Sequence, residues 1–205
     1  MITQRPKCRS ESIPGAKDLI MLKNLPIVTE NLIINELKLE DLDYLYSFLN
    51  LKEIKEFLPD RYETKEELKH TLEWLINNYS KNKNEIIRIS LGIRLKGQNK
   101  LIGWITYGPL PYDEKLKEIA YAIDPAYWNR GYATRAGKAL LEWLSKNITD
   151  DDIFAEINPK NHSSRRVLEK LGMAKIKEDT WKKGKIVEDL WIYKLKRSEN
   201  RANQT

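Results

Sequence analysis

The chain has 205 residues, 41% of them hydrophobic and 32% charged, which suits one folded domain with a sizeable core and excludes a disordered chain. Lys and Arg number 36 against 30 Asp and Glu; the net charge of +6 favours anionic ligands but equally describes a lysine-rich solvated surface. One cysteine excludes an internal disulfide framework and a cysteine-based zinc site, two histidines are too few for a His-rich metal site, and no apolar run approaches the ~20 residues of a membrane span.

Residues 1–26 mix Arg5, Pro6, Arg9, Pro14, Gly15 and Pro26 without periodicity and read as a flexible extension. Their basic residues are not followed by an apolar core of signal type, so a cytoplasmic location is expected. A folded domain is expected over 27–197 and a flexible tail over 198–205. "NLIINEL" reads as a short strand. In "EDLDYLYSFLNL", Leu42, Leu45, Tyr46 and Leu49 recur at helical spacing. In "TKEELKHTLEWLINNY", Thr64 and Glu67 form a capping box, each side chain satisfying the other's free backbone N–H. Leu68, Leu72, Leu75 and Ile76 then make the buried stripe.

"IIRISLGIRLKGQNKLIGWITYG" switches to period two, with Ile87, Ile89, Leu91, Ile93 and Leu95 on one face and a hairpin turn at GQNK. "KEIAYAID" places Ile119, Tyr121 and Ile123 on one face and Glu118, Ala120, Ala122 and Asp124 on the other. After "YWNRGYATRAG" a helix is expected, with Ala133, Ala136, Gly137, Leu140, Leu141 and Leu144 as its stripe. "DIFAEIN" is a strand, and "NHSSRRVLEKLG" is a helix with Ser164, Val167, Leu168 and Leu171 on one stripe, closed by Gly172. Two last strands flank KKGK at 182–185. Hairpin-linked strands mixed with helical crossovers predict an α+β domain with a mixed sheet.

Three stretches carry polar chemistry. At Asn129, Arg130, Gly131, Tyr132, Ala133 and Thr134 a loop runs into a fresh helix. The first turn of a helix offers unpaired N–H groups and a partial positive charge, and a glycine lets a ligand approach the backbone. The loop is therefore a candidate phosphate cradle, or simply a helix start with a glycine. A Walker loop and a dinucleotide fingerprint both need glycines that are missing here. Glu118, among small residues, is a candidate general base in a narrow-walled cleft, or a surface glutamate. In "NPKNHSSRRVLEKLG", Asn158, Asn161, Ser163, Ser164, Arg165 and Arg166 gather amides, hydroxyls and cations at a strand-to-helix corner, which an ordinary N-cap and surface helix would also explain. His162 has no partner at metal spacing, and no metal is expected. No basic cluster with interleaved aromatics marks a nucleic-acid surface.

Together "TENLIINELKLEDLDYLYSFL", "LIGWITYG", "EIAYAIDPAYWNRGYATRAGKALLEWL" and "AEINPKNHSSRRVLEKLGM" resemble the GNAT superfamily of acyl-CoA N-acyltransferases, in its branch of ribosomal-protein-alanine N-acetyltransferases. The resemblance spans about Thr29 to Leu195. It implies a mixed, largely antiparallel twisted sheet, splayed into a V between two central parallel strands and flanked by helices. It implies acetyl-CoA as co-substrate, lying between the strands at 116–123 and 152–158. Backbone N–H groups from Asn129 to Thr134 would hold the pyrophosphate, Ile123 would pair its backbone with the pantetheine arm, and Asn161 would bond its side. Arg130, Arg135, Arg165 or Arg166 would meet the 3′-phosphate. Glu118 matches a position where relatives keep the base.

Two departures stand out. Trp128 replaces a Gln or Arg three residues before the glycine, which shifts the hold on phosphate to the backbone. Leu168 replaces the tyrosine that many members use as acid; Ser164 matches a serine that serves instead in the ribosomal-protein branch. The implied acceptor is a primary amine, either a protein N-terminus or a small amine, and the chain is compatible with a homodimer. The competing reading is a non-catalytic acetyl-CoA-binding or sensing domain. No nucleic-acid or membrane partner is expected.

Overall fold

The computed structural model describes residues 24–58, 64–79, 88–110, 113–147, 152–183 and 186–195. Of the expected features, the extension before residue 24, Ile87, the middle of the last turn and the tail lie outside these residues. An 8-stranded sheet is built from β1 (Ile27–Val28), β2 (Leu32–Glu36), β3 (Ile89–Leu95), β4 (Lys100–Leu110), β5 (Asp113–Ile123), β6 (Ile153–Ile157), β7 (Met173–Lys183) and β8 (Ile186–Leu195). The helices are α1 (Leu42–Leu49), α2 (Lys52–Lys55), α3 (Lys65–Asn78), α4 (Tyr132–Asn147) and α5 (His162–Lys170). The order of elements is the expected one, with β1 added. Two residues are too few to show a period, and β1 forms by pairing Ile27 and Val28 with Ile34 and Ile33.

Strand order is β1-β2-β3-β4-β5-β6-β8-β7. Every pairing is antiparallel except β5 with β6. Helices cover both faces. On one, Leu45, Phe48 and Leu49 of α1 and Leu68, Leu72 and Leu75 of α3 pack with Leu101, Trp104 and Ala122 of the sheet. On the other, Ala136, Leu140, Trp143 and Leu144 of α4 and Leu168 of α5 pack on Ile89, Leu91, Ile105, Ile119 and Ile123. A Cβ at Gly137 would meet Leu171 Cδ1 at 2.7 Å, so glycine is what lets α4 and the end of α5 approach closely.

Because both faces are covered, β3 is buried on both sides. Its outward polar residues need partners. Ser90 Oγ donates to Thr106 Oγ1 at 2.8 Å, and Arg94 pairs with Asp41 at 2.6 Å and donates to Asn35 Oδ1 at 3.0 Å.

The capping box at the start of α3 is present: Thr64 accepts from the Glu67 N–H at 3.2 Å and Glu67 accepts from the Thr64 N–H at 3.3 Å. Thr64→Ala removes one arm, and chemical denaturation should show a loss of about 1 kcal/mol. An unchanged midpoint would mean that tertiary packing alone fixes this helix.

The sheet forks at its parallel pair. β5 and β6 pair at Lys117↔Ile153 and Glu118↔Phe154. Beyond that, β5 runs on to Ile123 paired with β4, and β6 runs on to Ile157 paired with β8. This is the expected V, and a helix starts beyond the tip of each prong.

Candidate functional site

The β5 prong exposes a row of backbone groups. The Asp124 N–H donates to Ile102 O at 2.9 Å, and the register runs Gly103↔Ile123, Trp104↔Ala122, Ile105↔Tyr121. In an antiparallel ladder, hydrogen-bonded and non-hydrogen-bonded pairs alternate. Ile123 and Tyr121 thus belong to non-hydrogen-bonded pairs, and their N–H and C=O groups point away from β4 into the fork. The Ile123 carbonyl already has a partner there. The indole N–H of Trp128 donates to it at 2.6 Å.

After β5 the chain turns through a 3₁₀ segment, Pro125–Tyr127, capped by Asp124, whose Oδ1 accepts from the Ala126 N–H at 2.9 Å. The other carboxylate oxygen accepts from the Tyr44 hydroxyl of α1. Burial first, then the hydrogen bond and charge of Asp124, push the Tyr44 phenol far above its ordinary value, so it stays a donor. Asn129 and Gly131 are left-handed, with φ of 62° and 73°. Turns of this kind can gather successive N–H groups into an anion-binding concavity, and this one runs into the start of a 16-residue helix. Arg135 holds the loop from behind, donating from Nη2 to Arg130 O at 2.6 Å.

Between the prongs lies a cleft of about 490 Å³. From β5, Glu118 and Ile123 line it; from the loop and α4, Asn129, Gly131, Tyr132, Ala133 and Thr134; from the second corner, Asn161, Ser164 and Arg166. Among the named candidates, Arg130 is not brought into the lining. Its guanidinium lies over the Tyr127 ring at 5.7 Å, with Lys100 against the same ring at 5.4 Å. The other arginines are separated too. Arg165 pairs with Glu169 at 3.4 Å, Arg135 is tied to the loop, and Arg166 is the one that lines the cleft.

Asn161 caps α5, its Oδ1 accepting from the Ser164 N–H at 3.0 Å. That use of the oxygen leaves the amide NH₂ as the group available to a ligand. Glu118 is 13% exposed, on the face opposite Ile119, with Arg88 Nη2 at 3.5 Å. Arg88 is held in place by its bond to Pro109 O at 2.6 Å. Glu53, Ile54, Phe57 and Leu58 close this side of the cleft.

Sequence reasoning missed Arg88, Glu156, Tyr121 and the Trp128 contact. Glu156 lines the cleft from β6. Alternation in "DIFAEIN" sets Phe154, Glu156 and Asn158 on one face, so a glutamate in an otherwise apolar strand was the available signal. Arg88 gave no such signal, since it meets Glu118 only through the register of three strands.

Among the described residues, no group of three His, Cys, Asp or Glu is placed to hold a metal, and no helix is long and apolar enough to cross a membrane.

The sheet is mixed and forked at its parallel pair, with a helix start beyond each prong. Residues 31–174 match the profile of the acetyltransferase (GNAT) domain, and the chain belongs to that family. An uncharacterised N-acetyltransferase of Bacillus subtilis (strain 168), YnaD, is 29% identical over 147 residues, covering 72% of this chain and 81% of its own. An acetyltransferase (GNAT family) from Bacillus anthracis superposes with a TM-score of 0.66 at 26% identity, covering 81% of this chain and 95% of its own. The ribosomal-protein-S5-alanine acetyltransferase of Vibrio fischeri gives a TM-score of 0.68 at 21% identity, over 82% of this chain and 93% of its own, a likeness that speaks for the fold alone.

Proposed function

We propose that the protein is an N-acetyltransferase that moves an acetyl group from acetyl-CoA to a primary amine by direct attack. The observation that carries this is continuity. The fork-facing backbone of Tyr121 and Ile123 runs straight into the left-handed loop at the start of α4, and Glu118 stands at the other end. An extended thioester with a pyrophosphate end matches that shape. The residues fit it chemically as well: Gly131 supplies the positive φ that the loop needs, and Arg166 and Lys170 add cations on α5.

In this reading the loop Asn129–Thr134 binds the pyrophosphate, Ile123 and Asn161 hold the arm, and Arg166 meets the 3′-phosphate. Glu118 takes the proton from the attacking amine, directly or through a water, and Ser164 stands near the sulfur. Glu156, on the facing prong, is the alternative base. The acceptor is a protein N-terminus or a small amine, and the protein works in the cytoplasm. Thiol release from acetyl-CoA should be measured over a panel of N-terminal ribosomal-protein peptides, polyamines and aminoglycosides. Acetyl-CoA binding with no thiol release on any amine would favour the sensing reading instead.

Asn161 offers a separate check. Asn161→Asp keeps a good N-cap but removes the NH₂ donor. Calorimetry should show acetyl-CoA binding weakened roughly 3- to 10-fold, as for one lost hydrogen bond. The melting midpoint should hold, whereas Asn161→Ala should lower it.

A further inference from the structure

Tyr121 stands in the fork with no role yet. Its side chain shares a face with Ile119 and Ile123, and the wall it belongs to is otherwise apolar, with Ile157, Val167 and Leu168 opposite. Its hydroxyl crosses the fork and donates to Ser164 O, in the first turn of α5, at 3.3 Å. That is long for an O–H···O bond, whose usual length is about 2.7–2.8 Å. The accepting carbonyl is also the helical partner of the Leu168 N–H, four residues on. The phenol is therefore a donor loosely parked on a carbonyl that is already served, beside residue 168, and free to turn toward a better acceptor.

We propose that Tyr121 is a further catalytic residue, donating a hydrogen bond to the sulfur of the departing CoA thiolate. This rests on the reading of the fork as an acetyl-CoA site. The amine nitrogen bonds to the acyl carbon, the C–S bond breaks with its electron pair on sulfur, and the amine proton passes to the Glu118 carboxylate. Tyr121 keeps its own proton throughout. Burial pushes its phenol above the ordinary value, against a smaller opposing pull from the side-chain hydroxyl of Ser164. A phenol that weak as an acid stabilises a thiolate by donating to it, and the sulfur is protonated by water after it leaves. The free thiol titrates near ~8.5, so departure as thiolate needs stabilisation rather than full proton transfer.

The test needs no knowledge of the acceptor. Coenzyme A is bound to wild type and to Tyr121→Phe, affinity is measured by calorimetry, and the bound thiol is titrated by the ultraviolet absorbance of its thiolate. Glu118 from β5, Glu156 from β6, Asp189 from β8, Arg166 and Lys170 from α5 and Glu53 from the α2 side also face the cleft, and they are common to both proteins, so the difference isolates the hydroxyl. In wild type the bound thiol should titrate below the free thiol, and Tyr121→Phe should move it up by roughly one pH unit, as for one hydrogen bond to a charged group. With an active amine, kcat should fall roughly 10- to 100-fold at nearly unchanged KM, at or below the loss of one oxyanion donor. The ring is retained, and an unchanged melting midpoint confirms folding. Binding with identical thiol titration in both proteins overturns this proposal alone. Weaker binding with an unmoved titration also overturns it, making Tyr121 a brace of the fork. Failure of wild type to bind coenzyme A overturns it together with the acetyl-CoA reading.

Discussion

Gly131→Val is expected to raise the acetyl-CoA dissociation constant by roughly 100-fold or more, the loss of two charge-assisted hydrogen bonds at about 1.5–3 kcal/mol each. The cause is conformational. Gly131 has φ of 73°, a region that costs an ordinary L-residue about 1–2 kcal/mol and a β-branched one more. A Cβ there would also stand 3.4 Å from Arg135 Nη1, in the guanidinium that holds Arg130 O. That distance is ordinary contact, so valine strains the turn itself, and the loop relaxes by rotating its N–H groups. Gly131 is exposed and outside all three core clusters, so the fold should survive. Calorimetry with acetyl-CoA beside a thermal melt separates the two effects. Gly131→Ala should fall between, about 5- to 30-fold weaker on the same strain. Wild-type affinity in the valine variant would remove the loop from the binding site.

What the sequence made legible was local. The capping box of Thr64 and Glu67 lies within one turn, and the alternation of Ile119, Tyr121 and Ile123 against Glu118, Ala120 and Ala122 within one strand; the structure keeps both. The glycine before α4 announced a special backbone, though not that Asn129 shares it. The unreadable part depended on distance or on direction. Arg94 in β3 reads as a solvent-facing residue, yet it is buried against Asp41, 53 positions away, because helices cover both faces. Arg88 meets Glu118 across 30 positions. Trp128 looked like a lost phosphate ligand. It is only five positions from Ile123, but its bond requires the 3₁₀ turn at Pro125–Tyr127 to fold the indole back onto the strand it has just left. That contact sharpens the expectation for Ile123: its carbonyl is engaged in the free protein, so its N–H is the group left to meet a ligand in the fork.

Glu118→Gln is expected to lower kcat by about 100-fold or more, within the range for removing a general base, while acetyl-CoA affinity stays the same. Glutamine keeps the shape beside Arg88 but cannot take a proton, and the side chain lies at the opposite end of the cleft from the α4 loop. The size of the loss should also report the acceptor. The attacking nitrogen must be neutral. At pH 7 an α-amine with its pKa near 7.7–8.0 is roughly 300-fold richer in free base than an alkyl amine near 10.4. With a peptide N-terminus roughly a tenth of the amine is already free base at pH 7, so the defect should lie at the low end of that range and should shrink further as pH rises past 8. With a polyamine the carboxylate has more to do, and the defect should stay deep up to about pH 10. Glu156→Gln, measured beside it, decides which prong supplies the base. If Glu156→Gln costs more and Glu118→Gln little, the proton leaves across the fork, and Glu118 with its Arg88 partner becomes a wall of the acceptor site.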